Sequence, residues 1–166
     1  LFSGIGSFSI AARKIWPGCE IAAMCEIDKH CREYLADEWP GVTIHRDIKD
    51  VDWSRYEAVD LVCGGPPCQP ISVAGKRKGA ADDRWLWGEA LQVVASTRPR
   101  WCLFENPPGI RTMGLDGILT TLESLGYTCG AVDIPACAVN SPQRRHGYFI
   151  LANRNDPGRQ GRGGLE

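Results

Sequence analysis

The chain has 166 residues, of which 43% are apolar and 23% are charged, and its 19 basic and 20 acidic side chains give a net charge of -1. This length and composition predict one soluble globular domain. They exclude a protein whose overall positive charge attracts nucleic acid. They also exclude a membrane-embedded protein, since no apolar run is long enough to cross a bilayer.

Eight cysteines are present, and none forms a CxxC pair. In a short secreted chain this number would indicate a disulfide framework, but no signal peptide is evident and the cysteines fall in apolar or helical runs. Cys25, His30 and Cys31 lack a second ligand pair at the spacing of a zinc finger, so no metal site is expected. We expect buried free thiols in a reducing, cytoplasmic compartment.

The chain opens on a glycine turn, Leu1-Phe2-Ser3-Gly4-Ile5-Gly6. Such a turn normally follows a strand, and almost no strand precedes this one, so the first strand of the fold is expected to be truncated. Gly4 and Gly6 can take backbone conformations that other residues avoid. Residues 6–16 then show the apolar spacing of an amphipathic helix. A turn that feeds a helix in this way is typical of nucleotide-binding folds, although a lone GxG is weak evidence.

Two further strands each deliver an acidic residue into a loop. Residues 20–27 predict a buried strand that contains Glu26, twenty residues after Gly6, about where nucleotide-binding folds place the acid that binds a ribose. Asp28 is the predicted N-cap of a helix that ends at residue 39. The next predicted strand, residues 42–44, leads to Asp47, although an isolated loop aspartate is usually a solvated or capping residue.

A cysteine held between prolines follows the apolar run at residues 59–63. The loop reads Gly64-Gly65-Pro66-Pro67-Cys68-Gln69-Pro70-Ile71-Ser72. Because each proline fixes its own φ and restricts the residue before it, Cys68 has few backbone conformations available. A basic, glycine-flanked segment at residues 73–80 follows, which is either a phosphate-seeking loop or a solvated surface loop.

The rest of the chain predicts two helices, three strands and a tail. Asp82 or Asp83 is the predicted cap of a helix that runs to Pro99. The apolar strand 101–104 ends in Glu105, which would lie beside the Cys68 loop if the two strands are neighbours. The later elements are a helix over residues 114–125, an antiparallel strand pair at residues 128–134 and 148–152, and a disordered tail.

The alternation of strands and helices predicts an α/β fold with a doubly wound, mostly parallel sheet and a terminal antiparallel hairpin. In one such sheet the loops at the carboxyl edge would bring together Gly4, Glu26, Asp47, Cys68 and Glu105. The first three suit a nucleoside. A thiolate can add to an electron-poor ring carbon while a nearby carboxyl group hydrogen-bonds or protonates a ring nitrogen, so the last two suit a nucleophile and an acid.

These residues resemble those of the DNA (cytosine-5) methyltransferases, from Leu1 to about Ala152, and residues 64–79 are the most specific part. The resemblance implies a Rossmann-like, S-adenosylmethionine-dependent methyltransferase fold with a mixed seven-strand sheet. It implies a catalytic, cofactor-binding domain over residues 1–152 and a tail over residues 153–166. The implied reaction is methyl transfer to carbon 5 of a cytosine flipped out of double-stranded DNA, in an enzyme of bacterial or phage origin.

The resemblance assigns a role to residues in each loop. Cys68 matches the nucleophile that attacks carbon 6 of the cytosine, and Glu105 matches the glutamate that contacts ring nitrogen 3. Gln69, beside the nucleophile, and Arg145, in a later Gln-x-Arg motif that starts at Gln143, complete the implied catalytic set. The implied cofactor-binding residues are Phe2, Gly4, Gly6, Glu26, Ile27, Asp47, Ile48 and Pro67.

The chain departs from the family pattern in two ways that bear on activity. Gly147 stands where the motif usually has a second arginine, which would hold the cytosine carbonyl group. The target-recognition region and the closing motifs do not follow the Gln-Arg motif. We therefore expect weak cofactor affinity and no sequence-specific DNA binding, unless a further region or a partner subunit supplies what is missing.

Three other functions compete with methylation of cytosine in DNA. An RNA cytosine methyltransferase would share the same catalytic set. An inactive or split remnant that binds only the cofactor would fit Gly147 and the missing regions. The run Asn106-Pro107-Pro108-Gly109 superficially resembles the signature of methyltransferases that act on the adenine amino group, but Gly109 lacks the aromatic ring that would stack the base.

Overall fold

The computed structural model describes residues 1–57, 59–67 and 85–154 and has the predicted α/β architecture. The strands are β1 (Ala23–Cys25), β2 (Thr43–His45), β3 (Leu61–Gly64), β4 (Trp101–Asn106), β5 (Thr128–Pro135) and β6 (His146–Asn153). The α-helices are α1 (Ser7–Ile15), α2 (Lys29–Glu38), α3 (Trp87–Thr97), α4 (Ile110–Met113) and α5 (Leu115–Ser124).

The described strands form two hydrogen-bonded groups, whereas the sequence predicts one continuous sheet. β1 and β2 pair in parallel. The second group has the order β3-β4-β6-β5, in which β3 and β4 are parallel and β6 is antiparallel to both of its neighbours. The predicted antiparallel hairpin at the end of the sheet, β5 with β6, is therefore confirmed. The parallel pairing of β3 with β4 also confirms that the loops after these strands leave from the same edge.

Residues 1–3 join the two groups of strands. The Leu1 amino group donates a hydrogen bond to the Cys63 carbonyl at 2.7 Å, and the Ser3 amide donates to the Cys25 carbonyl at 3.0 Å. Gly64 permits this close approach, because a Cβ atom there would overlap the carbonyl oxygen of Leu1. Residues 1–3 thus lie where a central strand would lie, and too few of them pair to make one continuous ladder.

Helices cover both faces of β1. Successive residues of a strand point to opposite faces. Met24 packs in a cluster with Leu35 of α2 and with Trp39, whereas Cys25 packs in a separate cluster with Val93 of α3. Because Met24 and Cys25 are adjacent in β1, α2 and α3 lie on opposite faces, which is the doubly wound arrangement that the sequence predicts.

The largest core lies between the four-stranded group and helices α3, α4 and α5. Phe104 of β4, Ile150 of β6 and Ile110 of α4 are fully buried in it. The Trp87 ring of α3 meets the Phe104 ring edge-on, with 5.2 Å between their centroids, in a favoured aromatic geometry. This packing fixes the end of β4, where Glu105 lies.

Most predicted elements are present with shifted ends. Asp28 caps α2 as predicted, since its carboxylate accepts a hydrogen bond from the Cys31 amide at 2.8 Å. α3 begins at Trp87 without a side-chain cap, and the predicted caps, Asp82 and Asp83, lie outside the described residues. β1 has three of the eight strand residues expected, because its partner β2 is only three residues long.

The sequence did not predict α4 or the short 3-10 helices at Ile48–Asp50, Trp53–Tyr56 and Ala136–Val139. β6 runs to Asn153, and residues 155–166 of the predicted tail are not among those described. In the described ranges, each helix is either too short or too polar to span a bilayer.

Candidate active site

The glycine turn and Glu26 form one hydrogen-bonded unit. Gly4 and Gly6 have φ angles of +52° and +85°, in the left-handed region that favours glycine. One carboxylate oxygen of Glu26 accepts the Gly4 amide hydrogen at 2.7 Å, and the other accepts the Asp28 amide hydrogen at 2.9 Å. The structure thus brings the predicted glycine turn and the predicted ribose ligand together, and the carboxylate orients the turn.

Phe2 and Ile48, two predicted cofactor residues, pack in the same apolar cluster. Ile48 is buried there together with Cys25 and Val93, and Phe2 packs against them. Burial raises the pKa of the Cys25 thiol to about 11, so this thiol is a packing group at neutral pH. Ile48 thereby anchors the loop after β2 to the strand that precedes Glu26.

Asp47 acts as a cap in this structure, which is the ordinary role that the sequence left open for it. Its carboxylate accepts a hydrogen bond from the Lys49 amide at 3.0 Å at the start of the 3-10 helix Ile48–Asp50. This bond uses one oxygen. The second oxygen accepts no hydrogen bond from a residue that the structure describes.

The surface beside the glycine turn is open. Apart from the two chain neighbours of Gly4, no described residue has an atom within 4 Å of the position that a Cβ of Gly4 would occupy. Ile27, two residues after β1, is 61% exposed. An exposed apolar side chain, an open glycine backbone and a carboxylate therefore adjoin one another at this edge.

Glu105 lies in a narrow space between two glycines. Its carboxylate oxygens are 3.7 Å and 3.4 Å from the positions that Cβ atoms of Gly65 and Gly147 would occupy. Gly65 follows β3, and Gly147 belongs to β6, the antiparallel neighbour of β4. The carboxylate accepts no hydrogen bond from the described part of the chain. It is therefore free to bind a ligand on a side where neither neighbour has a side chain.

The predicted nucleophile loop is described only up to Pro67, which is half-buried. Cys68 and Gln69 lie outside the described residues. Pro66, before them, is fully buried. β3 pairs with β4, and Gly64, the last residue of β3, lies opposite Phe104. The loop therefore begins next to Glu105, which follows Phe104 in β4.

Arg145 and Gln143 do not reach Glu105 in this structure. Both side chains are exposed, and both residues precede β6 in the sequence. The Arg145 carbonyl accepts a hydrogen bond from the Ala136 amide at 2.7 Å, which closes the connection between β5 and β6. Its guanidinium group forms no ion pair with the residues described. Of the predicted catalytic set, the structure therefore places Glu105 beside the loop of Cys68 and leaves Arg145 apart.

Asn106 is a site residue that the sequence analysis missed. It is 1% exposed, and its side-chain nitrogen donates hydrogen bonds to the carbonyl groups of Pro66 at 3.0 Å and of Glu105 at 2.6 Å. The signal was the alternation of β4, which puts Cys102, Phe104 and Asn106 on the buried face and Glu105 on the other. A buried polar residue at a strand end needs such partners.

Thiols and acids elsewhere do not form a second site. The seven cysteines that the structure describes are free. Burial raises the pKa of the Cys102 thiol to about 12, so it resembles Cys25 in being unreactive. Within residues 1–57, 59–67 and 85–154, no three histidine, cysteine or acidic side chains gather as metal ligands would.

Several solved structures of methyltransferases have the same fold as this chain. The Dnmt2 methyltransferase of S. pombe superimposes with a TM-score of 0.77 at 22% identity, over 96% of this chain and 51% of that one. The Entamoeba histolytica methyltransferase EhMeth gives 0.72 at 17% identity, over 99% of this chain and 55% of that one. The chain therefore has the α/β methyltransferase fold.

Within this class, the family model of C-5 cytosine-specific DNA methylases matches residues 1–161, and the chain belongs to that family. The orphan methyltransferase M.SPRI of Bacillus phage SPR is 32% identical over 94% of this chain. The type II methyltransferase M2.BsuMI of Bacillus subtilis is 32% identical over 92% of it. The chain spans only 37% and 41% of the length of these two relatives.

Proposed function

We propose that the chain carries the catalytic and cofactor-binding part of an enzyme that transfers a methyl group from S-adenosylmethionine to carbon 5 of cytosine in DNA. The observation that carries this proposal is the Glu105 carboxylate, which is unpartnered among the described residues and lies between Gly65 and Gly147 where the Cys68 loop leaves β3. Family membership supports the same reaction.

The edge at the glycine turn fits the nucleoside part of the cofactor. Each Glu26 oxygen accepts one backbone amide hydrogen and keeps a lone pair for a ribose hydroxyl group. Exposed Ile27 offers an apolar surface for an adenine ring, and Asp47 retains an oxygen that can accept from the adenine amino group. We assign to the cofactor site Phe2, Gly4, Gly6, Glu26, Ile27, Asp47, Ile48 and Pro67.

The chemistry rests on Cys68 and Glu105. S-adenosylmethionine supplies an electrophilic methyl group when bound. The Cys68 thiolate adds to carbon 6 of the cytosine. At the same time the Glu105 carboxyl group donates a hydrogen bond to ring nitrogen 3 and draws electron density from the ring. Carbon 5 becomes nucleophilic in this adduct and takes the methyl group, and the bond between that methyl group and the sulfonium sulfur breaks to leave S-adenosylhomocysteine. Loss of the carbon 5 proton and departure of the thiolate then restore the ring. We assign supporting roles at the base to Gln69 and Arg145.

The trapped adduct tests this proposal. The protein, in the longest form that its gene encodes, is incubated with tritiated S-adenosylmethionine and DNA in which cytosine carries fluorine at carbon 5. Since fluorine cannot leave as the proton does, we expect a labelled complex of protein and DNA that survives denaturation. Label on adenine amino groups, or label only in an RNA of the same sequence, would contradict the proposal.

Glu26→Ala tests the cofactor site. The change removes the two acceptors that would bind the ribose, so we expect affinity for S-adenosylmethionine to fall by roughly tenfold to a hundredfold, the value of one or two hydrogen bonds to a charged group. Calorimetric titration measures it. Alkylation of Cys68, followed by peptide mass spectrometry, should not change.

Two variants control for the fold. Glu33→Ala removes a carboxylate from the exposed surface of α2 and should leave cofactor affinity unchanged. Glu26→Gln keeps an acceptor for the Gly4 amide and loses the acceptor for the Asp28 amide, so it should lower the melting temperature less than Glu26→Ala does and still bind cofactor more weakly than the unmodified protein. Unchanged affinity in both Glu26 variants would remove this residue from the site.

A second candidate is a split or inactive remnant that binds cofactor alone, which Gly147 favours. The variant Gly147→Arg distinguishes an active methyltransferase from such a remnant. The Gly147 φ angle lies outside the left-handed region, so the backbone accepts a side chain. A Cβ atom there would lie 3.4 Å from a Glu105 oxygen and 3.1 Å from the Phe149 ring, which must rotate slightly.

If the glycine is a lesion, the arginine should raise turnover about tenfold, since it adds a charge-assisted hydrogen bond to the cytosine carbonyl group. Methyl transfer to a cytosine-containing duplex measures the effect. Gly147→Ala introduces the same Cβ without the guanidinium group and serves as the control. A rate for Gly147→Arg at or below that of Gly147→Ala would show that the position is not a lesion.

The proposed setting of the enzyme is the cytoplasm of a bacterium or of a phage-infected cell. The relatives named above come from Bacillus subtilis and from a Bacillus phage, and the described thiols are free. We propose double-stranded DNA as the partner and a further region or a partner subunit as the source of sequence recognition. The proposed catalytic domain is residues 1–152.

A further inference from the structure

Asn106 joins two segments that are distant in sequence. Its side-chain nitrogen carries two hydrogens, and each has a carbonyl acceptor: Pro66, forty residues earlier, at 3.0 Å, and Glu105 at 2.6 Å. Because both neighbours are acceptors, the amide group can face them only with its nitrogen. The orientation of this buried side chain is therefore fixed by chemistry.

The side-chain oxygen of Asn106 points the other way. It is buried and accepts no hydrogen bond from any described residue. The prolines that adjoin it in both segments, Pro66-Pro67 and Pro107-Pro108, have no amide hydrogen to offer. A buried amide oxygen without a donor costs about 1–3 kcal/mol.

Glu105 takes part in this arrangement through its backbone, and its side chain lies elsewhere. Its carbonyl accepts from Asn106, and its carboxylate lies on the opposite face of β4, beside Gly65 and Gly147. A Cβ atom at Gly65 would lie 3.6 Å from the Glu105 carbonyl, so the segment after β3 runs against β4 at this point. Asn106 thus contacts the backbone of Glu105 and of Pro66, and its side chain lies on the face of β4 opposite to the Glu105 carboxylate.

We infer that Asn106 is a positioning residue that ties Pro66, two residues before Cys68, to the end of β4 and so fixes where the chain leaves the sheet beside Glu105. The link between Pro66 and β4 is inferred from the two hydrogen bonds of Asn106. Its effect on catalysis rests on the proposed function. A displacement of about 1 Å at a reacting centre can cost on the order of a hundredfold in rate. A residue that fixes the exit of the nucleophile loop has that much influence.

Hydrogen exchange tests the tie without requiring activity. In Asn106→Ala, the peptide that contains Gly64 and Gly65 should exchange its amide hydrogens roughly tenfold faster, the value of one buried hydrogen bond. Thr97→Val is the matched control. Thr97 is also 1% exposed and donates one buried hydrogen bond, to Val93 at 2.8 Å, but within α3. Equal exchange in all three proteins would overturn the inference.

Adduct formation with 5-fluorocytosine DNA tests the catalytic consequence. We expect Asn106→Ala to slow it by roughly tenfold to a hundredfold, with cofactor affinity unchanged, and Thr97→Val to leave it unchanged. Faster exchange with a normal adduct rate would overturn the positioning role. No adduct in the unmodified protein, with faster exchange in Asn106→Ala, would overturn the proposed function and support the tie.

Asn106→Asp supplies a signature that a general loss of stability would not. An ionised carboxylate at this buried place would repel two carbonyl groups, whereas the protonated acid can donate a hydrogen bond to Pro66. The adduct rate of Asn106→Asp, divided by that of the unmodified protein at each pH, should therefore rise as the pH falls. A ratio independent of pH, over the range in which both proteins are folded, would contradict the inference.

Discussion

Replacement of Cys68 by alanine is expected to abolish the covalent adduct with 5-fluorocytosine DNA and to reduce methyl transfer on the order of 1,000-fold or more, as loss of a catalytic nucleophile does in other enzymes. Without a thiolate, nothing adds to carbon 6, and carbon 5 of an intact cytosine ring is too poor a nucleophile to take a methyl group. Denaturing electrophoresis with tritiated cofactor measures the adduct.

The exposed thiol Cys137 provides the matched control for this prediction. It lies in the 3-10 helix Ala136–Val139, and Cys137→Ala should form the adduct at the normal rate. Cofactor affinity should be the same in both variants, because the glycine turn is oriented by hydrogen bonds to Glu26, which both variants keep. An adduct that persists in Cys68→Ala would show that another group is the nucleophile.

Glu105→Gln is expected to lower the rate of methyl transfer about 100- to 1,000-fold, while DNA binding changes little. Glutamine has nearly the same shape and can still donate a hydrogen bond to ring nitrogen 3, but it cannot transfer a proton to it. The ring therefore accepts less electron density when the thiolate adds. Single-turnover kinetics separate this chemical step from binding.

Glu123→Gln makes the same change on the exposed surface of α5 and should have no effect. Because Gly65 and Gly147 leave space around the Glu105 carboxylate, the glutamine should fit without strain, and melting temperatures of both variants should match that of the unmodified protein. A Glu105→Gln variant that transfers methyl groups at a normal rate would remove Glu105 from the proposed mechanism.

The sequence predicted those features that depend on local pattern. Apolar runs located β3 and β4, and the residues after them identified the Cys68 loop and Glu105 as neighbours if the strands pair, which they do. Glycine spacing and the acid twenty residues later located the turn that Glu26 orients. Strand-end position therefore predicted that Glu26 lies at the glycine turn and that Glu105 lies beside Gly65, which leads towards Cys68.

The features it did not predict depend on register between distant strands. That Gly147 faces Glu105 follows from the placement of β6 between β4 and β5, and no local pattern encodes this order. The division of the strands into two groups depends on how residues 1–3 bond to β3 and β1. Asn106 could have been found from the alternation of β4, but its bond to Pro66 could not.

The identity of the methylated nucleoside tests the central claim most directly. DNA incubated with the longest form of the protein and deuterated S-adenosylmethionine is digested to nucleosides and analysed by mass spectrometry against standards. We expect the label in 5-methyldeoxycytidine, and we expect it to disappear in Cys68→Ala. Label in an amino-methylated cytosine or adenine, or in 5-methylcytidine of RNA but not of DNA, would contradict the account.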